Sequence, residues 1–431
     1  MATTPANAQP NILYVIADDL LTNGLQTAPQ FDPASHMPHL NALAAEGANF
    51  TRAYAPASQC QPARAALMSG LRPHDTGWTH NSWQKRKKFG GTKGDLFAVL
   101  GANTRTLARD LSDGGYTTAT VGKVYHVFAK NPDPRAFDAF TRSRKGERGT
   151  QKTIYRQVKS GVTTTDFAGT RAAAVADQAV AWMNTLPEPW AVFVGIYPPH
   201  LPWMAPADTW AMVPETLGPL PGYLMGDRED TYSYSNNRLR RINEAQWQDS
   251  RRAQLVSSAH ADETLGAVMS AFDRSDTVMV FVSDQGMCMG QRENYAAKAT
   301  LAPCASQVPY VWAGAGIGGS TIDAPVDTMS IYPTLLNLAG IERPDRVAGT
   351  DLSALLQTGS EIATQALSSQ GRRHALRWCD GASCWSYACD ANGGKEEIYD
   401  LTSDPHEFVN LAPTGIEAAR ARMDAALAGD A

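Results

Sequence analysis

Cys60 stands in the run Ser58-Gln59-Cys60-Gln61-Pro62-Ala63-Arg64, ahead of an Ala/Leu/Met-rich stretch that closes at Gly70. Proline suits the first turn of a helix and glycine its end, so the segment predicts a helix with Cys60 at its N-terminus. Unpaired backbone N–H groups there favour anions, and a nucleophile and an anionic ester could share that spot. The alternative reading is a buried structural cysteine at the head of an ordinary helix.

A second kind of chemistry sits at the ends of four β-rich runs. Asn11 to Ala17 stops at Asp18-Asp19, and Thr277 to Val282 gives way to Ser283-Asp284-Gln285-Gly286. Thr117 to Val121 leads to Gly122-Lys123 and then His126, and Trp190 to Tyr197 reaches Pro198-Pro199-His200. Three carboxylates brought together (Asp18, Asp19, Asp284) resist joint ionisation unless a cation lies between them. With the Gln285 carbonyl as a fourth oxygen, the set suits a hard ion, Ca²⁺ or alternatively Mg²⁺, and the shortage of clustered His and Cys argues against zinc. Each acid could instead cap a turn after its strand. Lys123, His126 and His200 follow apolar strands, where solvent-facing residues are not expected, although packing roles are open to them.

These residues need a scaffold that gathers them. Short β-rich runs alternate with helical stretches, which predicts an α/β fold: a mainly parallel sheet sandwiched by helices. In such sheets, sites form outside the carboxyl ends of the strands, so the four termini converge on one cleft. Neighbouring residues within a strand point to opposite faces, so Asp18 and Asp19 share a site only if the strand has already yielded to a loop there. The 431 residues are read as a main domain over 1–348 and a C-terminal α+β subdomain over 349–431, with a small antiparallel sheet and a final helix. Asp138, Asp262, Asp327 and His260 are read as structural.

A net charge of -5 with 19% charged residues gives no broad electrostatic reason to bind nucleic acid or an anionic membrane. No apolar run approaches the roughly 20 residues of a membrane span. The N-terminus lacks a basic region followed by an apolar stretch, so the expectation is a cytoplasmic protein if the chain is complete, and a periplasmic or secreted one if a signal peptide was removed. Cys379, Cys384 and Cys389 lack the paired spacing of common zinc sites; reduced strand cysteines are expected, with one disulfide as the alternative. Trp78, His80, Trp83, Lys85 and Arg86, with Trp203 opposite, could form a rim that stacks a sugar or aromatic ring and draws in an anion. A solvated loop with tryptophans filling gaps is the alternative.

The C-x-P-x-R pattern of Cys60, Pro62 and Arg64 resembles the signature of type I sulfatases, in which the cysteine is converted into formylglycine. The resemblance runs along nearly the whole chain, closest in motif pattern to the group that includes iduronate 2-sulfatase. It takes in Asp18-Asp19, Gly122-Lys123-Val124-Tyr125-His126, Pro199-His200-Leu201-Pro202, Ser283-Asp284-Gln285-Gly286, Lys298, and Tyr399-Asp400-Leu401 through Asp404-Pro405, Glu407 and Asn410-Leu411. It implies an alkaline phosphatase-like fold and a sulfatase acting on a sulfate ester, with a sulfated carbohydrate as the expected substrate. A formylglycine-generating enzyme would act during maturation, and the hydrated aldehyde at Cys60 would be the nucleophile.

On the same resemblance, Asp18, Asp19, Asp284 and Gln285 would hold the metal, and Arg64 would reach back to the diol and the carboxylate cage. Lys123 and Lys298 would face the sulfate oxygens. His126 would be the base, and His200, alone or with Lys298, the proton donor. One position departs from the pattern: Gln285 replaces the usual His or Asn, and its extra methylene moves the amide oxygen outward. Two other functions compete, a phosphonate or phosphate ester hydrolase of the same superfamily and a catalytically silent binding protein with Cys60 unconverted.

Overall fold

The computed structural model describes residues 9–81, 103–126, 131–142, 146–155, 158–227, 243–291, 295–412 and 416–429, with Leu96 and Leu100. Its main sheet has eight strands: β1 (Asn11–Ala17), β2 (Ala48–Phe50), β3 (Thr117–Gly122), β4 (Ala139–Thr141), β5 (Trp190–Ile196), β6 (Thr277–Ser283), β7 (Tyr310–Gly314) and β8 (Ser320–Ile322). Their spatial order is β8-β2-β7-β6-β1-β5-β3-β4. The five strands from β6 to β4 run parallel, and β7 is antiparallel to both β6 and β2.

Alternation along the central strands feeds two separate cores. Ile12, Tyr14, Ile16, Phe193, Val278, Val280 and Val282 pack on one face, against α2 (Cys60–Ser69), α3 (Leu107–Asp113) and α6 (Ile331–Leu338). Leu13, Val15, Val192, Val194, Met279 and Phe281 pack on the other, against α1 (Pro38–Glu46), α4 (Arg171–Met183) and α5 (Glu244–Met269). A strand buried on both faces must be apolar throughout, which is why β1 reads as an unbroken apolar run after Asn11.

The register sets the site. Ala17 lies opposite both Ser283 and Ile196, and Gly122 lies opposite Gly195. Four parallel strands therefore end at one level, and the chain leaves them side by side. A pair of glycines makes the last step possible: Gly122 turns with φ +77°, and a Cβ on Gly195 would overlap the backbone of Lys123.

Beyond the main sheet, Gln365–Gln370, Arg373–Asp380, Ser383–Asp390 and Glu397–Asp400 form an antiparallel meander. It shares a small core with α7 (Ile416–Ala428), built around Leu376, Tyr387, Ile398 and Met423. The meander is bonded to the segment ahead of Cys60: the Ser369 N–H donates to Pro56 O at 2.8 Å and Ser368 Oγ to Ala55 O at 2.7 Å.

The cysteines correct the sequence-based expectation. Cys379 and Cys384 form a disulfide instead of lying reduced, and Cys288 pairs with Cys304 in a second; Cys60 and Cys389 are buried thiols. The physical reason for the first is a tight turn. Asp380 opposes Ser383, with Gly381 at φ +61° between them, so Cys379 and Cys384 face each other across the ladder. Among the described residues no helix is long and apolar enough to cross a membrane.

Gly195→Ala is expected to force β3 and β5 apart where Lys123 leaves the sheet. Overpacking of this kind costs about 1–3 kcal/mol. Denaturant unfolding should show that loss, and turnover should fall even in the fraction that remains folded.

Candidate active site

All ten residues of α2 are buried, and Cys60 opens the helix from Gln59, whose backbone is extended. Gly70 closes it with φ +73°. Pro62 in the first turn and Gly70 at the end thus do what their types suggest.

The adjacent acids share a site through a local break in the backbone. β1 ends at Ala17, and Asp19 adopts φ +68°, a left-handed conformation that Asp tolerates better than most residues. The alternation of the strand is lost there, and both carboxylates turn the same way. The Asp19 N–H donates to Asp284 Oδ1 at 3.1 Å, and the Asp284 N–H donates to Ala17 O at 3.1 Å. Ser283 pins the pair of loops: its hydroxyl accepts from the Leu20 N–H at 2.9 Å and donates to Gln285 O at 3.0 Å.

Arg64, one helical turn past Cys60, crosses this floor fully buried. Its Nε meets Asp284 Oδ2 at 2.7 Å, and Nη2 meets Asp18 Oδ1 at 3.3 Å and Ala17 O at 3.2 Å. Nη1 donates to Val124 O at 3.1 Å and also to Lys123 O. Lys123 Nζ pairs with Asp18 Oδ2, and the ammonium lies 5.5 Å from the centre of the Tyr197 ring. Lys298 Nζ holds both oxygens of Asp19, at 2.7 and 2.8 Å, and stands 3.1 Å from Cys60 Sγ. The thiol itself donates to Asp19 Oδ1 at 3.4 Å.

Charge is thus densely paired. Burial opposes ionisation of Asp18, but Lys123, His200 and Arg64 outweigh it and hold its carboxyl well below the usual range. Burial pushes Asp284 up to about 7, with Arg64 pulling it down and Asp18 and Asp19 pushing it further up. The Cys60 thiol is raised well above its ordinary value by burial and by Asp19. A buried thiol of this kind is a poor thiolate nucleophile, which argues against cysteine chemistry as such.

Four ligand atoms, one each from Asp18, Asp19, Cys60 and Asp284, lie within 4.8 Å of one another. Gln285 lies against them with Nε2 on Asp19 Oδ1, while its Oε1 is buried with no hydrogen-bond partner. A half-turn of that amide would bring the orphaned oxygen to the carboxylate side. The oxygen-rich, buried donor set therefore fits a hard divalent cation. Repulsion among the acids does not by itself demand one, because Arg64, Lys123 and Lys298 already balance them.

His200 borders the cluster, with Nε2 3.9 Å from Asp19 Oδ2. Nδ1 lies 2.7 Å from Leu201 O and 3.0 Å from the Tyr197 hydroxyl, which also donates to Leu201 O at 2.9 Å. Burial draws the ring pKa down to about 4, with Asp18 opposing and Lys123 assisting. Among the described residues of the cluster, Lys298 and His200 open to solvent at 23% and 27% exposure, whereas Asp18 and Asp284 are fully enclosed. His126 follows Lys123 by three residues on the loop after β3.

Two residues of the expected aromatic rim are buried instead. Trp78 is buried in the core around α2, and Trp203 is buried beside Leu21, Met287 and Met289. Both tryptophans fill the interior and offer no sugar platform. His80 accompanies Gln370, whose Nε2 is 3.1 Å from its Nδ1. Trp83, Lys85 and Arg86 lie outside the described residues. Asp138, Asp262, Asp327 and His260 hold structure: Asp262, for instance, accepts the N–H groups of His39 and Leu40 at the head of α1, and Asp327 pairs with Arg72 at 2.8 Å. Sequence reasoning gave no role to Tyr197 or Ser283 and missed the Cys288–Cys304 bond; Tyr197 and Ser283, each at the end of a chemistry-bearing strand, carried a signal, and the disulfide carried none.

The family description "Sulfatase" matches residues 10–341. The chain belongs to the sulfatase family. It is 29% identical over 439 residues to a protein named "Sulfatase" from Formosa agariphila, over 94% of this chain and 83% of that one. In fold, this sulfatase is similar to the phosphonate monoester hydrolase of Agrobacterium radiobacter, with TM-score 0.75 and 19% identity, over 97% of this chain and 95% of that one. It is also similar to a protein solved in complex with its substrate D-glucosamine-2-N,6-O-disulfate, with TM-score 0.70 and 18% identity, over 97% and 96% of the two chains. The family is associated with a formylglycine-modified cysteine and a divalent metal.

Arg64→Ala would leave two enclosed carboxylates without their shared partner. Breaking a buried pair in this way costs about 3–5 kcal/mol. Urea unfolding of the variant should show a loss of that size, and Arg64→Lys should restore only part of it, because an ammonium cannot span both acids and the three carbonyls.

Proposed function

We propose that this sulfatase removes sulfate from a sulfated carbohydrate, using formylglycine matured from Cys60 and a divalent cation, Ca²⁺ in preference to Mg²⁺, held by Asp18, Asp19, Asp284 and Gln285. The observation that carries this is the meeting of Cys60 Sγ, Lys298 Nζ and Asp19 Oδ1 within 3.4 Å at the carboxyl edge of the sheet. Cys60 Sγ marks where the oxygen of the matured side chain would sit. The aldehyde, once hydrated by water, would supply the nucleophilic hydroxyl, and the cation would supply charge that favours its ionised form.

The other side chains bind, orient and hold protons. Lys298 stands over the reacting atom and opens to solvent, so its ammonium meets the sulfate oxygens as the ester arrives and stabilises the charge that builds there. Lys123 supplies a second cation from the far side of Asp18. Arg64 fixes the two enclosed acids and keeps α2 at its present height against the strand ends. His126 is the proposed base.

The roles of His200 and Lys298 separate on geometry. Leu201 O accepts only, so it fixes a proton on His200 Nδ1 and leaves Nε2 of the neutral ring as an acceptor toward the cluster. Lys298 then carries the protons available to the leaving oxygen, and His200 orients it. Tyr197 holds His200 in that pose.

The carbohydrate reading is supported by the glucosamine disulfate complex of a protein with this fold. The second reading, a phosphonate or phosphate ester hydrolase, is supported by the likeness to the phosphonate monoester hydrolase. The two disulfides favour an oxidising compartment, periplasmic or extracellular.

Mass spectrometry of the tryptic peptide 53–64, from protein made alongside a formylglycine-generating enzyme, is expected to show aldehyde in place of thiol; intact thiol in fully active protein would sink the proposal. Chelation should abolish turnover, and Ca²⁺ should restore it better than Mg²⁺. Lys298→Ala is expected to lower kcat by about 10²–10³, the range for losing one preorganised charge-stabilising donor. Aryl sulfate should be turned over faster than aryl phosphonate monoester; the reverse order would favour the second reading.

A further inference from the structure

Lys298 reaches Cys60 from outside the sheet and helices that place every other member of the cluster. It is the first residue after a short hairpin, Cys288–Gly290 paired with Tyr295–Ala297, in which Cys288 lies opposite Ala297. The next residue, Ala299, has φ +74°, a left-handed backbone that a non-glycine residue keeps only when its surroundings impose it. Two attachments flank it here. The Ala299 N–H donates to Ser58 O at 3.0 Å, two residues ahead of Cys60. The Cys288–Cys304 disulfide closes the chain around the lysine, and both of its cysteines are buried. Beside it the Gly286 N–H donates to Ala305 O at 2.9 Å, so both ends of the closed loop are fixed next to Gln285.

We propose that the Cys288–Cys304 disulfide is a positioning element for Lys298. It holds the hairpin and the strained Ala299 turn so that the ammonium stands over the reacting side chain; this rests on the proposed role of Lys298 toward sulfate. A lysine side chain has large rotamer freedom, so its head group is only as well placed as the backbone beneath it. With the crosslink cut, the hairpin keeps its three ladder positions and the bond from Trp247 Nε1 to Met289 O, while the Ala299 turn can relax. The Cys379–Cys384 disulfide lies at the tip of the C-terminal meander and serves as an internal control.

The test compares matured, metal-loaded enzyme carrying Cys288→Ala with Cys304→Ala against enzyme carrying Cys379→Ala with Cys384→Ala. Both are assayed on an aryl sulfate well below the melting temperature. The first pair is expected to lose about 10- to 100-fold in kcat, the scale of an ångström-sized misplacement, with KM changed less; the control pair should stay within about twofold of wild type, since surface changes away from such features cost little. Placed in a Lys298→Ala background, removal of Cys288 and Cys304 should cause no further loss in kcat, because the two changes act through one side chain. Hydrogen exchange of the Ala299 amide should quicken in the first pair and not in the control.

Wild-type kcat in the first pair, a full additional loss on top of Lys298→Ala, or unchanged exchange at Ala299 would each overturn the proposal. If the first pair does not accumulate, the control variant serves as starting enzyme, because a single disulfide remains in it. A water-soluble phosphine reduces that bond to two thiols, taking its oxygen from water, and the same kcat and exchange comparisons are then made. Should the wild-type enzyme turn over no sulfate ester, the sulfatase reading fails, while the exchange measurement still decides whether the crosslink holds the lysine loop.

Discussion

The enclosed guanidinium of Arg64 is the interaction on which the site depends. It joins α2 to the ends of β1 and β6 through Asp18, Asp284 and Ala17, and to the loop after β3 through Lys123 and Val124. Taking such a group out of water is costly unless its donors are met, and here five bonds spread over three chain segments meet them. Cys60 lies one turn ahead on the same helix, so the height of the nucleophilic position above the strand ends is set by where this side chain locks. A shift of the helix would break carboxylate and carbonyl bonds together, which makes the placement all-or-none.

Charge at the site is balanced before any cation is considered. Three carboxylates are matched by Arg64, Lys123 and Lys298, and this lets the chain fold around a cluster that would otherwise repel itself. The balance is uneven. Asp18 is strongly held as the anion, whereas burial and two neighbouring acids push Asp284 up to about 7 against the pull of Arg64. Lys123 and Lys298 here pair with Asp18 and Asp19, and under the function proposed above they would be the charges left for a sulfate once those carboxylates served a cation.

Much of this was legible in the chain. Apolar runs ending in polar residues gave the four central strands and their shared edge, because a strand buried on both faces has no reason to end in Asp-Asp or Gly-Lys except where it leaves the sheet. The span of α2 followed from Pro62 and Gly70. What stayed hidden depends on contacts between distant segments. The backbone flip at Asp19 is imposed by Asp284, 265 residues away. Cys288 and Cys304 meet only because a hairpin returns the chain, and the Gly381 turn pairs two cysteines whose spacing looked uninformative. Trp78 and Trp203 misled because a tryptophan beside charged residues reads the same whether it stacks a ligand or plugs the interior.

The meander formed by Gln365–Asp390 is bonded to Ala55 and Pro56, and Ser58 Oγ donates to Gln370 Oε1 at 3.0 Å. The approach to Cys60 is therefore finished by residues synthesised some three hundred positions later than the cysteine. Cys60 itself has no exposed surface in the folded protein. The folded protein offers no access to an atom so enclosed, so the maturation proposed above would belong to a chain that has not yet closed over α2. On that reading the order of synthesis becomes part of the chemistry, since a chain that closed first would keep the thiol.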